Sequence, residues 1–274
     1  MRLTLTRDAG EFVTRAEGFL AARMEHNILA TVSGNAAARG YEGLFAYGLD
    51  DRDEVVYAAV RTPPWPLLTG ELYSLQDADS LVAEWLAHDA HVPGVSGPPA
   101  TARAISRAWT KVTGHVTRLS RSEAIHALTE VRDPSRPAAG TLRATTADER
   151  ALVIGWLRGF NDEVRDGIGD PERMVDERGP QSRLFVWDDR GPVCLVGCSP
   201  VVNRVARVAP VYTPPELRRR GYAGTAVAAL SRRLLERDAD RCMLYTDLAN
   251  PTSNKIYAEV GYVRFADWEE HDFG

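Results

Sequence analysis

Cysteine is scarce: the 274 residues hold three, Cys194, Cys198 and Cys242. An odd, low count excludes a disulfide framework and suits a reducing compartment. Cys194 and Cys198 stand four apart, but no second pair or nearby histidine completes a zinc site. No metal is therefore expected, and the cysteines read as small buried side chains on one strand face. No apolar run approaches the 18 residues of a membrane-spanning helix, and the amino terminus lacks the apolar stretch of a secretory signal. No membrane association is expected, and a cytoplasmic location follows by default. Basic charge is not in excess either: 33 basic residues face 38 acidic ones, net −5. That balance excludes a broad nucleic-acid footprint, which needs a basic surface. Two familiar phosphate signatures are also missing, the Gly-Lys-Ser/Thr of a Walker loop and the G-x-G-x-x-G of a dinucleotide fold.

What is present fits a globular protein of one or two modest domains. Hydrophobic residues make up 44% and charged residues 26%, enough for a normal core. The stretch Val-Arg-Asp-Pro-Ser-Arg-Pro-Ala-Ala-Gly at 131–140 is rich in Pro, Gly and charge and reads as a linker. It predicts domains over 1–131 and 141–274, joined by 132–140. In the second half, patterning predicts an extended segment at 141–145 and helices at 147–164 and 170–178. Strands follow at 182–187, 193–198 and 201–212, a helix at 221–237, a strand at 242–248, a helix at 250–260 and a last strand at 262–268. That order, β-α-α-β-β-β-α-β-α-β, is a mixed α/β sheet. The first half is less regular. Helices are predicted at 11–24, 79–87 and 100–112, a hairpin at 43–47 and 54–60, and an extended piece at 116–119. It is a loose echo of the second half, not an alignable repeat.

The segment 208–234 carries the chemistry. An apolar strand ends at Thr213-Pro214-Pro215, where proline stops ladder pairing. Arg218-Arg219-Arg220-Gly221-Tyr222-Ala223-Gly224 then leads into a long helix with Val227, Leu230, Leu234 and Leu235 as its apolar stripe. The first N–H groups of that helix lack partners, and the positive end of its dipole favours an anion. Gly221, Ala223 and Gly224 let the backbone approach a bulky phosphate, and three arginines add charge. A solvated basic face with a helix-start glycine is the plainer alternative.

These residues resemble the GNAT acetyltransferase superfamily, whose phosphate loop is Arg/Gln-x-x-Gly-x-Gly/Ala; here it reads Arg218-x-x-Gly221-x-Ala223. Downstream, Asn250-Pro251-Thr252-Ser253-Asn254-Lys255-Ile256-Tyr257, followed by Gly261-Tyr262, is similar to the family's Asn-x-x-(Ser/Ala)-x-x-x-Tyr helix and its Gly-Phe/Tyr. The resemblance covers about 141–274. It implies a GNAT acyl-CoA N-acyltransferase fold there, with a degenerate GNAT-like α/β domain in the amino-terminal half, where Pro93-Gly94-Val95-Ser96-Gly97 is at best a decayed phosphate loop.

The resemblance further implies acetyl-CoA as co-substrate, its pantetheine lying in a splay between the strands at 201–212 and 242–248. Backbone groups of Ala209 to Tyr212 would pair with the arm, and one N–H would polarise the thioester carbonyl. Cofactor contacts are then expected from Val211, Tyr212, Thr213, Arg218, Arg219, Arg220, Gly221, Tyr222, Ala223, Gly224, Asn250 and Asn254. Asn250 can equally be a helix cap, with Pro251 at the first helical position. Tyr257 fits the general acid for the thiolate, because a phenol of pKa about 10 stays protonated at neutral pH. Glu163 and Asp247 are the candidates for the general base, and a water chain is a third route. The expected reaction is direct attack by a primary amine of a small molecule or peptide, in a monomer or homodimer. The alternative is a non-catalytic acyl-CoA-binding sensor or scaffold.

Overall fold

A computed structural model describes residues 1–164 and 169–274 of the chain. The first half contains β1 (Arg2–Thr6), α1 (Ala9–Ala22), α2 (Asn27–Arg39), β2 (Leu44–Leu49), β3 (Val55–Arg61), β4 (Leu67–Thr69), α3 (Ala78–Leu86), β5 (Gly94–Gly97), α4 (Pro99–Thr113) and β6 (Thr117–Leu128). The second contains β7 (Thr141–Ala144), α5 (Arg150–Glu163), α6 (Pro171–Arg178), β8 (Leu184–Asp188), β9 (Pro192–Cys198), β10 (Val205–Tyr212), α7 (Tyr222–Arg237), β11 (Arg241–Asp247), α8 (Pro251–Val260) and β12 (Val263–Phe273). Both halves therefore follow one order, β-α-α-β-β-β-α-β-α-β, and the fold is mixed α/β.

By packing, the chain forms two units. The first comprises Met1–Ile125, Asp247–Ala249 and Ala266–Gly274; the second comprises His126–Thr246 and Asn250–Phe265. In the first unit, β1, β2, β3 and β4 pair antiparallel in sequence order. β5 then joins β4 in parallel, and the carboxy-terminal part of β12 pairs antiparallel with β5. Helices α3 and α4 close the core with Leu81, Trp85, Ile105 and Trp109. Residues 93–97, considered as a decayed phosphate loop, are instead the strand β5 and the residue before it. The strand-to-helix turn of this unit lies at 70–77, between β4 and α3, and carries Glu71 and Asp77 rather than arginines.

In the second unit, β7, β8, β9 and β10 pair antiparallel, and β11 joins β10 in parallel. The strand expected from Val201 starts at Val205, because Asn203 and Arg204 take left-handed backbone angles (φ 51° and 59°) and turn the chain between β9 and β10. One face of this sheet carries α7, with Ala226, Val227 and Leu230 fully buried. Removing Val227 and Leu230 from water stabilises by up to about 1.5–3 kcal/mol each. The other face carries α5 and α6 over Leu157, Leu184, Val186 and Leu195. Residues 132–140, expected as a linker, lie within this unit. The Ala138 N–H donates to Thr225 Oγ1 at 3.0 Å, Trp187 Nε1 donates to the Ala139 carbonyl at 2.8 Å, and Arg232 pairs with Asp133 at 2.7 Å.

Candidate active site at the end of β10

Two irregularities open the sheet at β10. Its parallel ladder with β11 pairs Val205–Arg207 with Arg241–Met243 and stops there, although the strands run on to Tyr212 and Asp247. On its other edge, register with β9 shifts between Val208 and Val211. A bulge of this kind bends a strand and re-aims its groups. Pro210, inside the shift, has no N–H to give. The strands therefore leave backbone groups near Val211 facing an unladdered gap.

Beyond Tyr212, Pro214 and Pro215 lead a short 3₁₀ turn, and Arg219 (φ 62°) and Gly221 (φ 83°) bring the chain into α7. Gly221 is the residue before α7 and, having no side chain, does not itself cap the first N–H groups of that helix. Those donors are open to an anion. A β-carbon on Gly221 would sit 3.2 Å from the Arg136 carbonyl in a left-handed conformation that other residues adopt at a cost. Arg219 and Arg220 are exposed. Arg220 reaches the Glu216 carbonyl at 3.4 Å.

Arg218 points elsewhere. Its Nε donates to the Thr213 carbonyl at 2.8 Å, its Nη2 pairs with Glu163 at 2.5 Å, and the guanidinium lies 5.8 Å from the centre of the Tyr212 ring. Two residues named separately from the sequence, one for phosphate and one as a base, are thus brought together. Tyr212 is buried beside Gly159 of α5, where a β-carbon would lie 2.5 Å from its hydroxyl. Burial first, and the Glu163 charge second, raise its phenol pKa.

Tyr222 is buried in the core and its hydroxyl donates to Asp189 at 2.8 Å, so its side chain anchors the β8–β9 hairpin. Ala223 and Gly224 are partly buried in the first turn of α7, Gly224 facing Ile256. Val211 packs at the margin of the α7 core, and the Thr213 hydroxyl donates to Cys194 Sγ at 3.2 Å. Asn250 caps α8, its side chain accepting the Ser253 N–H at 3.1 Å, with Asn254 partly buried in the helix it starts. Tyr257, on α8, meets Tyr262 edge-on at 6.1 Å; burial, then neighbouring Cys194, push its pKa well above the usual phenol value. Asp247 ends β11 within the first unit, is exposed, and accepts the Ala249 N–H at 2.7 Å. The three cysteines are buried thiols, Cys194 pushed by burial to about 11 and Cys242 to about 12. None is set up as a nucleophile.

Sequence reasoning missed Arg178, the last residue of α6, whose Nη1 donates to the Ala209 carbonyl at 2.8 Å. A cation at a helix end before a glycine reads as ordinary dipole complementation, so nothing in the sequence pointed from α6 to the bulge of β10.

The sequence model of the Acetyltransferase (GNAT) family matches residues 143–262, which span the open strand pair, the arginine turn and the Asn250–Tyr257 helix. Residues 143–262 are a GNAT domain. Solved structures with the same fold extend the likeness over the whole chain. A GNAT-family acetyltransferase from Colwellia psychrerythraea is 10% identical with a TM-score of 0.62, covering 100% of this chain and 99% of its own. A GCN5-related N-acetyltransferase from Sphaerobacter thermophilus is 14% identical with a TM-score of 0.60, covering 98% and 95%. A tandem GNAT protein from the clavulanic acid biosynthesis pathway is 12% identical with a TM-score of 0.58, covering 99% and 98%. Identities this low show a shared fold. No curated protein sequence matches the chain. Among the described residues, no helix is long and apolar enough to cross a membrane.

Proposed function

We propose that the GNAT domain transfers the acetyl group of acetyl-CoA to a primary amine of a small molecule or peptide. The observation that carries this reading is the gap between β10 and β11 leading directly to the glycine-started helix α7 at Gly221. An extended thioester arm fits the first, and a pyrophosphate fits the second. The pantetheine would pair with backbone near Val211 to Thr213, because Pro210 has no donor and the Ala209 carbonyl is already bonded to Arg178. The N–H groups of Gly221 to Gly224 would take the pyrophosphate, with Arg219 and Arg220 as mobile counter-charges.

In the reaction, a neutral amine attacks the thioester carbon, the new C–N bond forms and the C–S bond breaks. The amine surrenders a proton to a base, and the leaving thiolate takes one from an acid. Tyr257 is the acid in this reading: a phenol with raised pKa is fully protonated at neutral pH and available to sulfur. Glu163 is the favoured base, since it lies beside Tyr212 at the end of β10 and is held there by Arg218. Asp247 is the second choice, because its carboxylate already closes a local turn. The protein acts in the cytoplasm as a monomer or homodimer, and the acidic turn at 70–77 makes the first unit a degenerate partner without a cofactor of its own.

The test is direct. Purified protein is titrated with acetyl-CoA by calorimetry and then assayed for free CoA thiol against a broad panel of amines. Saturable binding with amine-dependent thiol release supports the reading. Tight binding without release from any amine replaces it with the sensor or scaffold reading, and no binding removes both.

A further inference from the structure

The proposal concerns the acceptor and rests on the acetyl-transfer reading above. Arg178 ends α6 on the sheet face lined by Leu157, Met174 and Tyr212. Its guanidinium reaches across to the bulge of β10 and gives one N–H to the Ala209 carbonyl at 2.8 Å. A guanidinium has five donors in a fixed fork, so most of this one is not used by that bond. Among the described residues no carboxylate forms an ion pair with it; its charged neighbours are two further cations, Arg207 and Arg183, and more weakly the adjacent Glu177. Burial, then Arg207 and Arg183, hold its pKa down to about 10. A partly buried cation with spare donors and two cations nearby, offset only by the adjacent Glu177, is an arrangement that an arriving anion relieves.

Position decides which anion. The cofactor's phosphates belong to the turn after Tyr212, where Arg219, Arg220 and the start of α7 stand. Arg178 meets β10 three residues before Tyr212, roughly 10 Å back along the strand. That is the end at which the acyl group would face its acceptor. Arg207, two residues before Ala209 on the same strand, adds charge to the same neighbourhood. The α5–α6 face beside it offers partly buried Trp156 and Phe160.

We propose that Arg178, supported by Arg207, binds an anionic group, a carboxylate or a phosphate, on the amine acceptor. A forked guanidinium suits either group in two-point contact. The acceptor is then an amine that carries its own negative charge, and Arg178 is the residue that selects it. Holding the Ala209 carbonyl alone would be a structural role, and the two roles predict different measurements.

Matched acceptors separate them. In the presence of CoA, which binds without turning over, calorimetry compares 5-aminopentanoate with 5-aminopentanamide, and 2-aminoethyl phosphate with ethanolamine. At least one anionic member should bind tenfold or more tightly than its neutral twin. The identity of that pair distinguishes a carboxylate from a phosphate. Arg178→Met should abolish the preference, and Arg178→Lys should retain part of it. With acetyl-CoA in place of CoA, the change should appear in KM for the anionic acceptor and not in kcat. Equal binding within both pairs overturns the proposal, as does a preference that survives in Arg178→Met. A folded Arg178→Met protein that loses kcat equally for charged and neutral amines assigns Arg178 to structure. If no amine is acetylated yet the anionic preference stands and depends on Arg178, the acetyl-transfer reading fails while the anion site remains.

Discussion

Replacing Glu163 with glutamine separates two jobs of one carboxylate: taking the proton of the attacking amine, as proposed, and tethering Arg218. The Glu163–Arg218 pair spans 2.5 Å, with the two side chains 45% and 40% exposed. Exposed pairs of this kind contribute about 0–1 kcal/mol, so folding should hardly notice the loss. A shift of at most about 3 °C in Tm is expected. Released from Glu163, Arg218 is free to turn towards the pyrophosphate. The same 0–1 kcal/mol then appears as acetyl-CoA affinity up to about fivefold tighter. If Glu163 is the base, kcat falls by about 10² or more, in the range for loss of a positioned proton acceptor. Calorimetry with acetyl-CoA and steady-state thiol release read the two quantities from one preparation. A kcat within twofold of the parent refutes the base assignment, and weaker acetyl-CoA binding refutes the tether.

Three further outcomes can be checked. Tyr257→Phe should lower kcat by about 10²–10³ with little change in KM; because the Tyr257 pKa is raised, the parent's pH–rate profile should show no alkaline fall from this group below about pH 10. Gly221→Ala puts a β-carbon at positive φ, costing about 1–2 kcal/mol, so Tm should fall by about 3–6 °C. Distortion of the first N–H groups of α7 should weaken acetyl-CoA binding about tenfold, a loss of about 1.4 kcal/mol. His26 is buried against Phe19, its rings stacked at 4.3 Å, and burial lowers its pKa. Its unfolded form therefore binds a proton first, and its stabilising effect is lost as pH falls below about 6.5. Chemical denaturation at pH 7.5 and 5.5 should show a smaller pH-dependent loss for His26→Phe than for the parent.

Much of the second half was legible because each signal there is local. The arginine turn, Pro251 after Asn250 and the apolar stripe of α7 mark their elements within a few residues of sequence. The first half hid more. β1 and the three-residue β4 are too short for period-two patterning to stand out. α2 carries Thr31, Val32, Ser33 and Gly34 in succession, weak helix formers that burial of Leu29 and Ala36 holds in place. β6 and β12 run past their predicted ends at Leu119 and Trp268 because partner strands, not propensity, sustain them. At the site, residue types were readable and pairings were not. Glu163 meets Arg218 across 55 positions of sequence and Arg178 meets Ala209 across 31; such encounters are decided by how α5 and α6 lie on the sheet.

The way the chain threads its two units bears on any attempt to dissect the gene. Residues 266–274 belong to the first unit although they follow residues 143–262 in the sequence. There Phe273 stacks on Trp109 at 4.4 Å, and Glu269 accepts from both Nε and Nη2 of Arg103 and lies 3.0 Å from His271. The amino-terminal unit is thus left incomplete until residues 266–274 are made, and a stop codon placed after residue 262 would strip a strand from the half of the protein it was meant to spare.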